Sequence, residues 1–174
     1  APEQARKLRR RIGEIFKFAV ITELVTRNPV ADLDTALKAR RPGHNAWIPI
    51  SEIPAFYKAL ERAGSVQIQT AIRLLILTAL RTAELRLCRW EWINLEDATI
   101  TLPAEVMKAR RPHVVPLSRQ AVELLQDQFT RSGYSAFVFP GRFMDKPLSA
   151  SAILKALERI GYKSIATGHG WRTT

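Results

Sequence analysis

One cysteine, two methionines and three histidines are all that this 174-residue chain offers to thiol or soft-metal chemistry. The single cysteine, Cys88, excludes an internal disulfide and fits a reducing, cytoplasmic compartment. Its place inside an apolar helical pattern reads as a buried structural thiol. No Cys/His spacing builds a zinc site, no glycine-rich loop cradles phosphates, and no Ser/His/Asp set stands out. No apolar run approaches the length of a membrane span. The start, Ala1-Pro2-Glu3-Gln4, lacks the charged and apolar regions of a signal peptide. It also lacks a methionine, which predicts an excised fragment. These absences predict no metal, no small-molecule cofactor and no membrane partner.

Negative charge is scarce as well. Sixteen Asp and Glu face 27 Lys and Arg, for a net charge of +11 and a pI near 10.5. A surplus of this size predicts attraction to a polyanion and salt-dependent binding. Ribosomal, nucleic-acid-processing and membrane-surface proteins all share it. Hydrophobic residues make up 47% of the chain, which excludes global disorder. The length suits one well-packed domain with a piece of a second.

Periodicity divides the chain. Leu8, Ile12, Ile15, Phe16 and Ala19 recur at helical spacing. Asn28-Pro29 is predicted to close that helix, because proline disfavours a helical predecessor. The stretch from Lys38 to Asn45 holds charge and breakers without periodicity and reads as a linker. A boundary is therefore expected between residues 1–40, too little to bury a core alone, and 41–174. Ser51 is predicted to cap a second helix with Ile53, Phe56, Tyr57 and Leu60 inward, ended by Gly64. From Val66 to Leu80 the pattern is apolar almost all round, the mark of a central buried helix. Ala83 to Trp90 reads as a short helix.

The texture then turns to strands. Ala98–Leu102, Val106–Lys108 and His113–Pro116 are predicted as three short antiparallel strands, the last two joined by the basic turn Ala109-Arg110-Arg111-Pro112. Helices return at Ser118, with Val122, Leu125 and Phe129 inward, and at Ser149, with Ile153, Leu157 and Ile160 inward. Gly161 follows as a C-terminal cap. The fold class is mainly α with a small three-stranded antiparallel sheet (α+β).

Three motifs carry chemistry. Arg81 ends the apolar helix, where it reads either as a cap favoured by the helix dipole or as a functional cation. Glu84, one turn on, is a dipole partner or a carboxylate that orients Arg81. Lys108 sits among Arg110, Arg111 and His113. Lysine, unlike arginine, gives up a proton when flanked by other cations, so it can act as a general acid. His169 and Arg172 form His-x-x-Arg, whose spacing places both on one face if a helix begins there. Arginine holds two phosphate oxygens in a planar fork and never loses its proton. In this order the residues make a set for gripping a phosphodiester.

The wording around these residues resembles the catalytic domain of the tyrosine recombinases, most closely prophage-type integrases. The likeness lies in Thr78-Ala79-Leu80-Arg81-Thr82-Ala83-Glu84-Leu85, Met107-Lys108 through Leu117-Ser118, and His169-Gly170-Trp171-Arg172, with Phe137–Pro140 and Pro147–Ser149 between them. It covers nearly the whole chain. It implies that residues 1–40 are the last helix of a core-binding domain and the start of a linker, and that 41–174 are most of a catalytic domain. It implies double-stranded DNA and other protomers as partners. It assigns catalysis to Arg81, Lys108, His169 and Arg172, support to Glu84, DNA contact to Arg110, Arg111 and His113, and packing to Trp171. The implied reaction needs neither metal nor ATP: a tyrosine attacks the phosphate, leaving a 3′-phosphotyrosyl bond and a free 5′-hydroxyl.

Asn94 stands where an aspartate is common in that family. The family's tyrosine follows the second arginine, so none of Tyr57, Tyr134 and Tyr162 is expected to be the nucleophile. The fragment alone is then expected to be inactive. Two other readings remain: a type IB topoisomerase, which uses a similar grip, and a non-catalytic DNA-binding platform with the same fold.

Overall fold

A computed structural model of the chain describes residues 2–33 and 48–163. The chain divides into two compact units, Ala1–His44 and Asn45–Thr174.

In the first unit, α1 spans Pro2–Ile21. Proline at the first helical position loses no hydrogen bond, since that N–H has no intrahelical acceptor. The helix stops at Ile21, short of the predicted Asn28-Pro29. The Thr22 hydroxyl turns back to Phe18 O at 3.0 Å, and Glu23 takes a left-handed conformation with φ +57°. Asn28 instead folds the following segment against the helix. Its amide donates to Gly13 O at 3.1 Å and its carbonyl oxygen accepts from Val30 N at 3.1 Å. Arg9 donates to Val30 O and Ala31 O.

Among the described residues the second unit is mainly helical with one small sheet. Its helices are α2 (Ile53–Leu60), α3 (Val66–Thr78), α4 (Thr82–Arg86), α5 (Arg119–Ser132) and α6 (Ala152–Arg159). Three strands, β1 (Ile93–Asn94), β2 (Thr99–Leu102) and β3 (His113–Pro116), form an antiparallel sheet in the order β1-β2-β3. Ile100 pairs with Val115 and Leu102 with His113. Ile100, Leu102 and Val115 are buried, which fixes the register, since a slip by one residue would turn them to solvent.

Two of the three predicted strands form. Val106–Lys108 does not: Ala104–Val106 is a 3₁₀ turn, and Lys108 lies in the turn that follows. Pro103 and Pro112 bracket this segment and cannot donate to a ladder. The third strand is Ile93–Asn94, which pairs with Ile100 and Thr99. Ser51 caps no helix either. It lies within a 3₁₀ turn, Ile50–Glu52, whose cap makes no side-chain hydrogen bond. The short helix after Arg81 stops at Arg86, before the predicted Trp90. Phe129, predicted inward, is half-exposed, and its ring meets Trp90 edge-on, with centroids 5.0 Å apart.

Helix α2 closes at Leu60, short of the predicted Gly64, and α3 closes at Thr78 rather than Leu80, with Val66 and Leu77 exposed. Helix α3 begins where the Ser65 hydroxyl accepts the Ile68 N–H, and it buries Thr70, Ala71, Ile72, Leu74 and Leu75 against α5 and α6. Ile72, Leu74 and Leu75 each contribute about 1.5–3 kcal/mol on leaving water. Helix α5 starts at the Ser118 cap, whose hydroxyl accepts Ala121 N–H. Helix α6 begins at Ala152 rather than Ser149. It ends in the double hydrogen bond of a glycine-terminated helix: Gly161 N–H to Glu158 O and Tyr162 N–H to Leu157 O, with Gly161 at φ +84°.

A polar latch crosses the core. Gln128, fully buried, donates to Ser132 Oγ and Val138 O, both at 3.0 Å. The Trp90 indole donates to Ser132 O at 3.1 Å. This ties α5 to the segment after it and to the turn before β1.

Candidate active site

Arg81 stands at the junction of α3 and α4. It is the residue before α4 and has an extended backbone, φ −71° and ψ 149°. Its own N–H donates to Glu84 Oε2 at 2.8 Å, and its Nη1 donates to Glu84 Oε1. Glu84 is buried, while the Arg81 side chain is about a third exposed, at 36%. A buried carboxylate is costly unless paired and hydrogen-bonded. Glu84 meets that condition through Arg81, and the pairing fixes the guanidinium at the surface. The i, i+3 spacing read from sequence is what brings the two together.

The approach to Arg81 is held from the other side by a residue to which sequence reasoning gave no role. The Thr78 hydroxyl donates to Leu74 O at 2.6 Å and accepts the Leu80 N–H at 3.4 Å. Between them Ala79 is left-handed, φ 51° and ψ 23°. Leu80 is buried in the core. The only sequence signal was a threonine at a helix end with no glycine after it.

Lys108 lies on the connection between β2 and β3, in a turn closed by Arg110 N–H to Met107 O at 3.0 Å. Arg110 takes a positive φ of 51°. Lys108, Arg110, Arg111 and His113 are all exposed. Among the described residues none of the four has an ion pair. All four are solvated, whereas Arg81 is about a third exposed. His113 opens β3 opposite Leu102. His169, Trp171 and Arg172 lie outside the described residues.

Two of the three tyrosines pack on one phenylalanine. Tyr57 and Tyr162 both meet Phe56 edge-on, with centroids 6.1 and 5.0 Å from it. Burial pushes the Tyr57 hydroxyl above its ordinary pKa, against the pull of the Arg73 charge. Tyr134 is largely exposed. Asn94 organises a turn: its side-chain oxygen accepts Glu96 N–H and Asp97 N–H, both at 3.0 Å, and its amide donates to Asp97. The acceptor role is one an aspartate fills equally well. Cys88 is fully buried, and burial pushes its thiol up to about 12. No described helix is long and apolar enough to cross a membrane.

A surface arginine held on a buried glutamate and an exposed basic turn each suit an anionic ligand. Comparison with known proteins agrees in sequence and in fold. The Phage integrase family model matches residues 46–174, and the Phage integrase central domain matches residues 1–36. The chain is 43% identical to the integrase of Shigella phage Sf6 and 43% identical to prophage integrase IntS of Escherichia coli K12. Each alignment runs over 176 residues and covers 99% of this chain and 46% of the relative. The chain thus spans about half the length of the curated relatives it matches. Its fold is that of a lambda integrase dimer bound to a COC′ core site, with a TM-score of 0.74, 18% identity, and coverage of 99% of this chain and 64% of that one. With the Arg81–Glu84 pair and the Lys108 turn set in this fold, and with the family pattern running over most of its length, the chain belongs to the phage integrase family.

Proposed function

We propose that this chain supplies the phosphate-gripping part of a site-specific tyrosine recombinase that integrates phage or mobile-element DNA. The observation that carries the reading is the Arg81 side chain, about a third exposed, locked to the buried Glu84 carboxylate, in a chain 43% identical to a prophage integrase. Residues 1–40 act as the end of a core-binding domain and the start of a linker, and 41–174 as the catalytic domain. The reaction takes place in the bacterial cytoplasm, on nucleoid DNA.

Arg81 and Arg172 bind the nonbridging oxygens of the scissile phosphate, and His169 exchanges a proton near it. Lys108 protonates the departing 5′-oxygen. Arg110, Arg111 and His113 contact the DNA backbone. The nucleophile is a tyrosine following Arg172 in the full-length protein. Its oxygen forms the bond to phosphorus as the P–O5′ bond breaks, and the 5′-oxygen leaves with a proton. The phosphotyrosyl bond keeps the energy of the broken link, so religation needs no ATP. Protomers act together on duplex DNA, a reading supported by the lambda integrase dimer on its core site.

A nicked suicide duplex tests this. The full-length protein leaves a denaturation-resistant covalent band, and Arg81→Ala abolishes it with DNA binding kept, because the arginine's stronger bonds form in the transition state. The 174-residue chain leaves no band. If it neutralises about five phosphates, its log affinity for DNA falls against log salt with a slope of about −4.5. DNA binding without any covalent band from the full-length protein overturns the enzymatic reading and leaves a DNA-binding platform.

A further inference from the structure

The backbone that delivers Arg81 is held by side chains at consecutive residues. Helix α3 ends when Ala79 turns left-handed, a conformation that the Cβ of an L-residue disfavours. Nothing intrinsic to alanine selects it. The Ala79 N–H goes to Leu75 O at 3.1 Å, and the Thr78 hydroxyl spans the residue, bonding back to Leu74 O and forward to the Leu80 N–H. The next N–H, that of Arg81, goes to the Glu84 carboxylate. Two successive backbone donors are thus received by side chains rather than by carbonyls. Between them the buried Leu80 side chain anchors the chain in the core.

We propose that Thr78 is a positioning residue for Arg81, its hydroxyl setting the turn that aims the guanidinium. This rests on the reading of Arg81 as a phosphate-binding arginine. Glu84 fixes the turn after Arg81, and Thr78 fixes the turn before it. A loosely aimed arginine still attracts DNA, since attraction depends on charge and falls off slowly. Stabilising a transition state demands donors already in place when charge develops. Loss of the Thr78 hydroxyl therefore acts on the cleavage step and spares binding.

Thr78→Val keeps the branched shape and removes the hydroxyl, and Thr78→Ser restores the hydroxyl. In the full-length protein, single-turnover cleavage of a nicked suicide duplex is measured at saturating protein, beside the Kd for the same duplex. We expect Thr78→Val to cleave about ten- to a hundredfold more slowly, with Kd within about twofold, and Thr78→Ser to recover to within about threefold. Cleavage at the unmodified rate in Thr78→Val overturns the proposal. So does a joint fall of cleavage and affinity that Thr78→Ser leaves uncorrected.

A second arm uses the 174-residue chain and needs no catalysis. Amide hydrogen exchange at Leu80 and Arg81 speeds up about tenfold or more in Thr78→Val, while Ile72 and Leu74 within α3 keep their protection. Unchanged exchange at Leu80 and Arg81 overturns the turn itself. If the unmodified full-length protein fails to cleave, the recombinase reading falls and this arm alone decides the role of Thr78.

Discussion

Arg86 Nη1 donates to the carbonyl of Leu148 at 2.9 Å, across 62 residues of sequence. The bond ties α4, the helix that follows Arg81, to the segment entering α6. The Leu148 N–H is itself taken by Phe139 O at 2.8 Å, so Leu148 is held from both sides. Arg86→Met keeps much of the aliphatic volume and removes the donor. It is expected to lower stability by about 1.5 kcal/mol, since a partly exposed charge-assisted bond contributes at the lower end of its range. Urea unfolding should show a lower midpoint with an unchanged slope, and an unshifted midpoint refutes the tie.

Cys88 gives a pH prediction. Its folded thiol, raised by burial, ionises only at about 12, while an unfolded thiol ionises near 8.5 to 9. Above that range the unfolded state loses a proton that the folded state keeps. The contribution to stability is complete below about pH 8.5 and falls as pH rises toward 12, by up to about 1.4 kcal/mol per unit. The unmodified protein should therefore lose stability more steeply than Cys88→Ala between about pH 9 and 10.5. Parallel profiles for the two proteins would falsify this.

The turn carrying Lys108 predicts where proteases cut. Residues 107–111 are exposed apart from Met107 and sit between two short strands. Within residues 48–163, trypsin should cleave early after Lys108 and Arg110, and spare Arg111, because Pro112 follows it. Duplex DNA should protect both sites if these cations lie against phosphates, with protection fading as salt is raised. Equal cleavage with and without DNA at low salt removes this turn from the interface.

Lys108 as general acid has its own signature. In the full-length protein, Lys108→Ala should slow cleavage of ordinary DNA. A substrate with sulfur in place of the bridging 5′-oxygen should recover much of the rate, because a thiolate departs without protonation. An equal defect on both substrates assigns Lys108 to charge stabilisation alone.

Much of this architecture was legible beforehand, and the misreadings share a physical cause. Helix α3 was readable because its apolar residues run all round, and α5 because Ser118 precedes a clean 3.6-residue pattern. The Arg81–Glu84 pair followed from spacing within one turn. Val106-Met107 looked like a strand because two apolar residues beside a basic turn fit either state. Its prolines decided the matter, and the missing strand came from Ile93-Asn94, too short to show any alternation. Ser51 looked like a cap by residue type, but a 3₁₀ turn before Ile53 makes the helix entrance instead. Thr78 was invisible because its role depends on a left-handed alanine, which residue preferences do not anticipate. The alignment of Arg81 with His169 and Arg172 stays a proposal, since the latter two lie outside the described residues.

The sheet also bears on how the protein behaves when crowded. β3 is four residues long and closes on Pro116, and β1 has only two residues. Any second sheet seeking to extend this one finds, among the described residues, a rim of very few backbone donors. It must also approach past Arg110 and Arg111, which repel an identical rim. Shortness therefore guards both borders against ribbon-like stacking, and like charge guards the β3 border against its own copy, a guard that salt weakens by screening.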